Sequence, residues 1–390
     1  MTIFETPPAR VFAPNSIEEL AEVVRAGAAD NTALAPIGAA THLTQGNPPS
    51  RYDAAIRTLH LDRIIEYSPE DQVVVVEAGI TLDAVQAALR EHGQWLAIDP
   101  PGGGVRTIGG LLATNAFGPR RLKYGTLKDL IVGIEIVRAD GARARGGGKV
   151  VKNVAGFDLP KLMVGALGTL GLIATATFKL HPLPEAMRWY VRRGLSANEV
   201  RAEYVRFVRS QLEPSAILAE YENGEYVLYV LFEGFAAGVE VQGVALGNDY
   251  EVAADDKAAH ADLTTRTFGD VRVRISLPPA AFAALESDVL APLRAAYDRY
   301  RLVTYPAAGV AFIGGYASEP ERLALALNSS RYAADTLGGN LVMLECTDPI
   351  VRGRVDPFGA LPPSFRIMER LKAQFDPERR LNRGRFVGGL

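Results

Sequence analysis

Pro100-Pro101-Gly102-Gly103-Gly104-Val105-Arg106-Thr107-Ile108-Gly109-Gly110-Leu111-Leu112-Ala113-Thr114-Asn115 is the stretch on which the reading of this chain turns. Further glycine clusters follow at Gly118-Pro119, Tyr124-Gly125, Gly156-Phe157-Asp158 and Gly168-Thr169-Leu170-Gly171. Clustering of this kind points to backbone approaching something closely at several loops, because glycine alone offers that approach at no steric cost. No single-loop nucleotide motif accounts for it. A Rossmann fingerprint needs Gly-x-Gly-x-x-Gly between strand and helix, and a phosphate loop needs Gly-Lys followed by Ser or Thr, whereas Gly148-Lys149 is followed by Val150. Several glycine loops that present amides to one diphosphate are the physical alternative, since nests of N–H groups offset two negative charges without many cationic side chains. FAD is the natural candidate ligand.

Working outward, the flanking segments read as alternating short strands and capped helices. Ser16 to Glu19 forms a capping box that opens a helix with Leu20, Val23 and Val24 on one face, ending near Gly27. Ala33 to Ile37 is a buried strand entering a tight loop at Gly38-Ala39-Ala40-Thr41. Gln72 to Ala78, with four consecutive valines, is a strand, and Thr81 caps a helix from Leu82 to His92. Leu130 to Arg138 turns back at Asp140-Gly141 through Ala144, and Leu172 to Leu180 is a further strand. His181-Pro182-Leu183-Pro184 marks a domain exit, so residues 1–184 form a first domain. Beyond it, strands are expected at Trp189–Arg193, Ala216–Glu220, Tyr226–Glu233, Arg272–Leu277, Ala311–Tyr316 and Leu341–Glu345. Helices are expected at Asn198–Leu212, Pro279–Arg301 and Pro320–Thr336, giving an α+β, ferredoxin-like cap over 185–350. The tail 351–390, with a helix from Pro363 to Phe375, is too short for a domain and must pack back on the first.

Composition excludes several classes. Forty-two Lys plus Arg against 45 Asp plus Glu give a net charge of −3 with scattered basic residues, so nucleic acid is not an expected partner. One cysteine, Cys346, leaves no intramolecular disulfide and no iron–sulfur cluster held by this chain's own thiolates. The uncharged run Leu162 to Phe178 contains three glycines and is shorter than the roughly 20 residues a span needs, so no integral membrane segment is expected. No basic, apolar leader opens the chain, and the expected compartment is a reducing cytoplasm.

The run Pro101 to Pro182 resembles the FAD-binding domain of the vanillyl-alcohol oxidase and p-cresol methylhydroxylase superfamily. Within it Thr107-Ile108-Gly109-Gly110, Asn115 to Arg121, Tyr124-Gly125 and Val151 to Leu159 are similar to the small FAD-binding subunit of the three-subunit glycolate oxidase. Phe375-Asp376-Pro377 and Leu381-Asn382-Arg383-Gly384-Arg385-Phe386 resemble the superfamily's C-terminal signature. The resemblance implies an α+β fold: a two-subdomain FAD-binding domain of the p-cresol methylhydroxylase type, a cap, and a tail returning to the FAD domain. It implies that the loop Pro36, Gly38, Ala39, Ala40, Thr41, His42 and the segment Pro101, Gly102 to Thr107, Ile108, Gly109, Gly110 hold the pyrophosphate. Asn115 and Gly118 then lie along the ribityl chain or flavin edge, with Tyr124 and Gly125 as further cofactor contacts. The backbone of Ile173, after the loop Gly168 to Gly171, meets the adenine.

Two departures stand out. The family's first loop carries three glycines, but Ala39 and Ala40 follow Gly38, which limits positive φ and weakens the nest. Members that attach FAD covalently place histidine where this chain has Thr41, and His42 is one residue too late, so a non-covalent flavin is expected.

Oxidising a 2-hydroxy acid needs a base for the hydroxyl proton and a cation for the carboxylate. Only His260 of the five histidines lies in the cap, in a segment that reads as solvated loop, and no His-x-Gly-Asp-Gly-Asn motif occurs. No catalytic residue is assigned. Arg266, Arg272 and Arg274 are candidate carboxylate ligands; the last two alternate with Val271, Val273 and Ile275 and so share a strand face, which serves a flavin-side site, a solvent face or a subunit contact equally well. Arg120, Arg121 and Lys123 pose the same choice between the flavin and a solvated or partner surface. Asp158 is read as an anchor for backbone N–H groups, and Cys346 as a buried inert thiol. No metal site is expected. The preferred reading is an FAD-bearing subunit of a glycolate oxidase complex, with a larger FAD-containing, glycolate-oxidising subunit and an iron–sulfur subunit as partners. A self-sufficient FAD-dependent 2-hydroxy acid dehydrogenase, and a structural subunit that has lost FAD, suggested by Ala39, Ala40 and Arg383, are the alternatives.

Overall fold

The computed structural model describes residues 3–4, 6–149, 157–256, 259–260, 268–281 and 284–390. The chain divides into two compact units: Met1–Phe117, Gly125–Leu183 and Ala360–Leu390 make the first, Gly118–Tyr124 and Pro184–Gly359 the second.

In the first unit, Arg10–Phe12, Ala54–Arg57 and Leu34–Ile37 form a three-stranded parallel sheet with Ala54–Arg57 in the middle. Helix Ile17–Ala29 covers it, with Leu20 and Val24 packed among Leu34, Ile56 and Leu61. Ser16 caps this helix by accepting from Glu19 N–H at 3.1 Å. The reciprocal half of the expected box is shifted by one residue, because the Glu19 carboxylate accepts from Asn15 N–H at 2.8 Å.

A second layer is a five-stranded antiparallel sheet in the order Ile64–Ser68, Val73–Glu77, Leu172–Lys179, Ile131–Val137, Arg143–Gly147. Val74 and Val76 are fully buried against helices Leu82–Arg90 and Ile108–Thr114, each such side chain contributing roughly 1.5–3 kcal/mol on leaving water. The C-terminal segment is laced onto the parallel sheet: Leu34 N–H donates to Arg380 O, and Asn382 N–H donates to Leu34 O, both at 2.8 Å. Sequence reasoning left Arg10–Phe12, Ala54–Arg57 and Ile64–Ser68 without an element; each is a short strand of three to five residues with weak alternation.

The second unit is an eight-stranded antiparallel sheet, twice the strand number of one ferredoxin-like motif. Its order is Glu251–Val252, Ala186–Leu195, Glu225–Gly234, Ala216–Glu222, Arg299–Tyr305, Val310–Tyr316, Val271–Ser276, Asn340–Cys346. Helices Ala197–Arg209, Ala236–Leu246 and Pro320–Thr336 belong to one core with Ile217, Leu228, Val273 and Ile313. The expected long helix Pro279–Arg301 is corrected. Its start is a 3₁₀ turn at Pro279–Ala281, its middle is a helical run that is widened over Leu285–Leu290 and continues as Ala291–Ala296, and its end becomes strand Arg299–Tyr305. That strand pairs on both sides and joins the two halves of the sheet.

Candidate functional site

The first unit holds two grooves that share Pro36, Ile37, Gly38, Gly110, Ala113, Leu167 and Asn382 as walls, and so form one continuous cleft. Both are grooves open to solvent, the one that reaches His42 being the larger. The larger groove adds Ala39, Ala40, Thr41, His42, Arg106, Thr107 and Arg385; the smaller adds Ala78, Gly109, Gly168, Gly171 and Ile173.

Strand Leu34–Ile37 delivers Gly38 against Thr107, whose Oγ1 caps helix Ile108–Thr114 by accepting from Gly110 N–H at 3.3 Å. A Cβ on Gly38 would overlap Thr107 Oγ1 and lie 3.2 Å from its Cβ, so glycine is required here for close approach rather than for φ. Gly168 sits at φ +69°, where a side chain would also strike Pro36 Cγ at 2.8 Å. Ala40 adopts φ +59° in spite of its Cβ, so the departure from the three-glycine pattern costs strain and does not abolish the left-handed turn. Thr41 is exposed, and His42 Nδ1 lies 3.2 Å from Thr41 Oγ1.

Two cations at the larger groove were missed by sequence reasoning. Arg106, 3% exposed, donates from Nη1 to Pro101 O at 2.8 Å and from Nη2 to Thr114 Oγ1 at 3.3 Å. Arg385, 5% exposed, donates from Nη1 to Leu43 O at 2.8 Å and from Nη2 to Gln45 O at 2.5 Å. Burial pulls its guanidinium down to about 10, which leaves it charged at neutral pH. The one signal in the sequence was an arginine between the two glycine clusters of 102–110.

The remaining expected contacts line neither groove. Pro101 and Gly102, at φ +87°, form the turn that receives Arg106; Ile108 is core; Gly125, at φ +79°, precedes the Thr126–Asp129 capping box. Asn115 ends helix Ile108–Thr114 in the left-handed conformation, and its Oδ1 is buried with no hydrogen-bond partner. Gly118 and Tyr124 belong to the second unit. Asp158 caps helix Leu159–Met163 as expected, accepting from Lys161 N–H at 3.1 Å. Val151 to Gly156 and Arg266 lie outside the described residues.

In the second unit the expectation of a solvated His260 is corrected. Its Nε2 lies 2.8 Å from Arg120 Nη1, its ring is 6.0 Å from that of Trp189, and burial, then the Arg120 charge, pull its imidazole down to about 3. Because a guanidinium only donates, Nε2 is the acceptor and the proton sits on Nδ1. Arg120 is not a solvated cation either: it is buried and forked onto Glu233, with Nη2 to Oε2 at 2.6 Å and Nε to Oε1 at 3.0 Å. Lys123 donates to Glu233 O at 2.9 Å. Arg272 and Arg274 do share a face, opposite the core residues Val271, Val273 and Ile275, and Arg272 pairs with Glu345 at 3.3 Å. Cys346 is buried, and burial pushes its thiol up to about 11. Among the described residues no helix is long and apolar enough to cross a membrane, and no group of three or more His, Cys, Asp or Glu side chains is placed to hold a metal ion.

The lining suits the charge of a diphosphate: Gly38, Ala39, Ala40, Thr107 and Gly110 line the larger groove, the buried Arg106 and Arg385 line it too, and Arg385 Nε is buried without a partner. A family model described as an FAD binding domain matches residues 8–147. The glycolate oxidase subunit GlcE of Escherichia coli is 32% identical over 269 residues, covering 68% of this chain and 74% of that protein. The chain belongs to the FAD-linked oxidoreductases with a p-cresol methylhydroxylase-type FAD-binding domain. Within that family, the glycolate oxidase subunit GlcD of Bacillus subtilis is 35% identical over 186 residues, 47% of this chain. A D-2-hydroxyglutarate dehydrogenase of Xanthomonas citri is 28% identical over 303 residues, 72% of this chain. The matches span 39% of the GlcD protein and 64% of the dehydrogenase. A solved alkyldihydroxyacetonephosphate synthase superposes on 95% of this chain and 76% of its own with a TM-score of 0.70 at 17% identity, which establishes the α+β fold.

Proposed function

We propose that this flavoprotein is the FAD-binding subunit of a complex that oxidises glycolate or a similar 2-hydroxy acid, with a larger FAD-containing subunit and an iron–sulfur subunit as partners. The observation that carries the reading is the cleft itself, with Gly38 against Thr107 and with Arg106 and Arg385 at one end, in a chain that matches three quarters of a small glycolate oxidase subunit. FAD, held non-covalently, supplies a two-electron acceptor that can also hand electrons on singly. The protein's own part is to hold the diphosphate by backbone amides, Thr107 and the two arginines, and to seat the adenine against Ile173 and Gly171.

The second unit supports a dependence on partners. A base for a hydroxyl proton must be within hydrogen-bond reach with a pKa near the working pH. His260 offers neither, since Arg120 occupies its Nε2 and its pKa lies near 3. Arg272 and Arg274, sharing one face, favour a second reading, a self-sufficient dehydrogenase that binds a carboxylate.

The purified chain, loaded with FAD and kept anaerobic, separates the two. A flavin band unchanged by glycolate, D-lactate or D-2-hydroxyglutarate, and bleached only after the partner subunits are added, supports the subunit. Bleaching by the chain alone supports the second reading.

A further inference from the structure

Arg385 is a buried cation whose hydrogen-bond and ring partners are all neutral. Its Nη1 and Nη2 donate to the carbonyls of Leu43 and Gln45, its guanidinium carbon lies 5.4 Å from the centre of the Phe4 ring, and its Nε has no hydrogen-bond partner. Among the described residues no carboxylate lies within ion-pair distance of it. The titratable group that faces it is Tyr52, whose hydroxyl is also buried without a partner and is pushed up to about 12 by burial, so that it is neutral. The buried charge at Lys372, by contrast, meets Asp376 at 2.7 Å. A buried cation without an anion is costly, and folded proteins pair or neutralise such groups.

The position of Arg385 shows where the counter-charge would enter. It lines the larger groove with Arg106, whereas the smaller groove is walled by Ala78, Ile173 and glycines. A ligand spanning both is therefore anionic at one part and uncharged at another. Arg385 also ends a lattice of tail contacts: Asn47 N–H donates to Arg385 O at 3.0 Å, Ser50 N–H to Arg383 O at 2.9 Å, and Asn382 Nδ2 to Leu167 O at 2.6 Å.

We propose that Arg385 is the residue that makes this cleft select a diphosphate-bearing dinucleotide over the uncharged flavin, the ligand's anion completing an ion pair that the protein leaves half-built. The inference rests on the FAD reading above and adds to it a residue from the C-terminal segment. A charge-assisted hydrogen bond of this kind is roughly twice as strong as a neutral one, and its loss corresponds to about 10- to 100-fold in affinity.

The test compares binding of FAD, ADP and riboflavin by calorimetry to the wild-type chain and to Arg385→Met and Arg385→Lys, with thermal melts to confirm folding. The expected result is that wild type prefers FAD and ADP to riboflavin, that Arg385→Met loses about 10- to 100-fold for FAD and ADP but nothing for riboflavin, and that Arg385→Lys recovers part of the loss. Equal losses for all three ligands, or none, overturn the selectivity. If Arg385→Met does not fold, the wild-type comparison decides alone: riboflavin binding as tightly as FAD overturns the proposal. Wild type that binds neither FAD nor riboflavin overturns the cofactor reading itself, whereas wild type that binds FAD with Arg385→Met unchanged overturns only the role of Arg385.

Discussion

Gly38→Ala is the substitution whose consequence follows most directly from the geometry. The added methyl overlaps Thr107 Oγ1 and lies 3.2 and 3.3 Å from Thr107 Cβ and Cγ2, so no side-chain atom of Thr107 is clear of it. Rotation about χ1 relieves the overlap with Oγ1 by abandoning the cap on Gly110 N–H, which costs about 1 kcal/mol. The residual crowding against a helix end packed in the core adds the cost of a modest overpacking, about 1 kcal/mol or more. The expected total is about 2 kcal/mol, read as a lowered urea midpoint at unchanged slope. Thr107→Ala loses the cap alone, about 1 kcal/mol, and the double variant should cost little more than Thr107→Ala because the clashing atoms are gone. A coupling of about 2 kcal/mol between the two positions is therefore predicted. Strict additivity, or a Gly38→Ala variant as stable as wild type, would refute the close approach on which the groove wall is built.

Ala40→Gly should stabilise by about 0.5–1 kcal/mol, since relief of a left-handed alanine exceeds the added unfolded-state freedom of glycine; denaturant melts check it. His260 has a folded pKa near 3 against an ordinary value of 6.5, so the unfolded chain binds the extra proton in that window. Stability is full above the unfolded value and falls as pH drops, by about 2 kcal/mol between pH 7 and 5, an effect His260→Gln should flatten in melts followed by Trp189 fluorescence. Glu233→Gln should destabilise by about 3–5 kcal/mol, because it leaves the buried Arg120 without its anion; chemical denaturation measures it. Acid precipitation should leave the yellow colour in the supernatant, as Thr41 is no attachment point for flavin; a yellow pellet would contradict this.

Features that act within a few residues of themselves were legible in the sequence. Ser16 and Thr81 cap their helices through the third residue on, and the four valines of 73–76 make a strand because the pattern and the burial agree. The loops Gly38 to His42 and Gly168 to Gly171 were visible as glycine clusters, and the fold brings both to one cleft. What was hidden depends on distant partners. Leu285, Val289, Leu290 and Leu293 repeat at helical spacing, and they concealed the two-residue alternation of Arg299–Tyr305, which becomes a strand because strands lie on both sides of it. His260 looked solvated because the groups that bury it, Arg120 and Trp189, stand 140 and 71 positions away along the chain. Arg385 stood out in the sequence only as a member of the C-terminal signature 381–386, and the return of that tail to Asn47 and Ser50 puts it on the groove.

The central claim, that the cleft of the first unit is where the dinucleotide binds, is tested most directly by hydrogen–deuterium exchange of the whole chain with and without FAD. The account predicts new protection in peptides covering 36–43, 106–114, 167–173 and 380–386, and little change across 320–346. Protection confined to other segments, or none at saturating FAD, would contradict it.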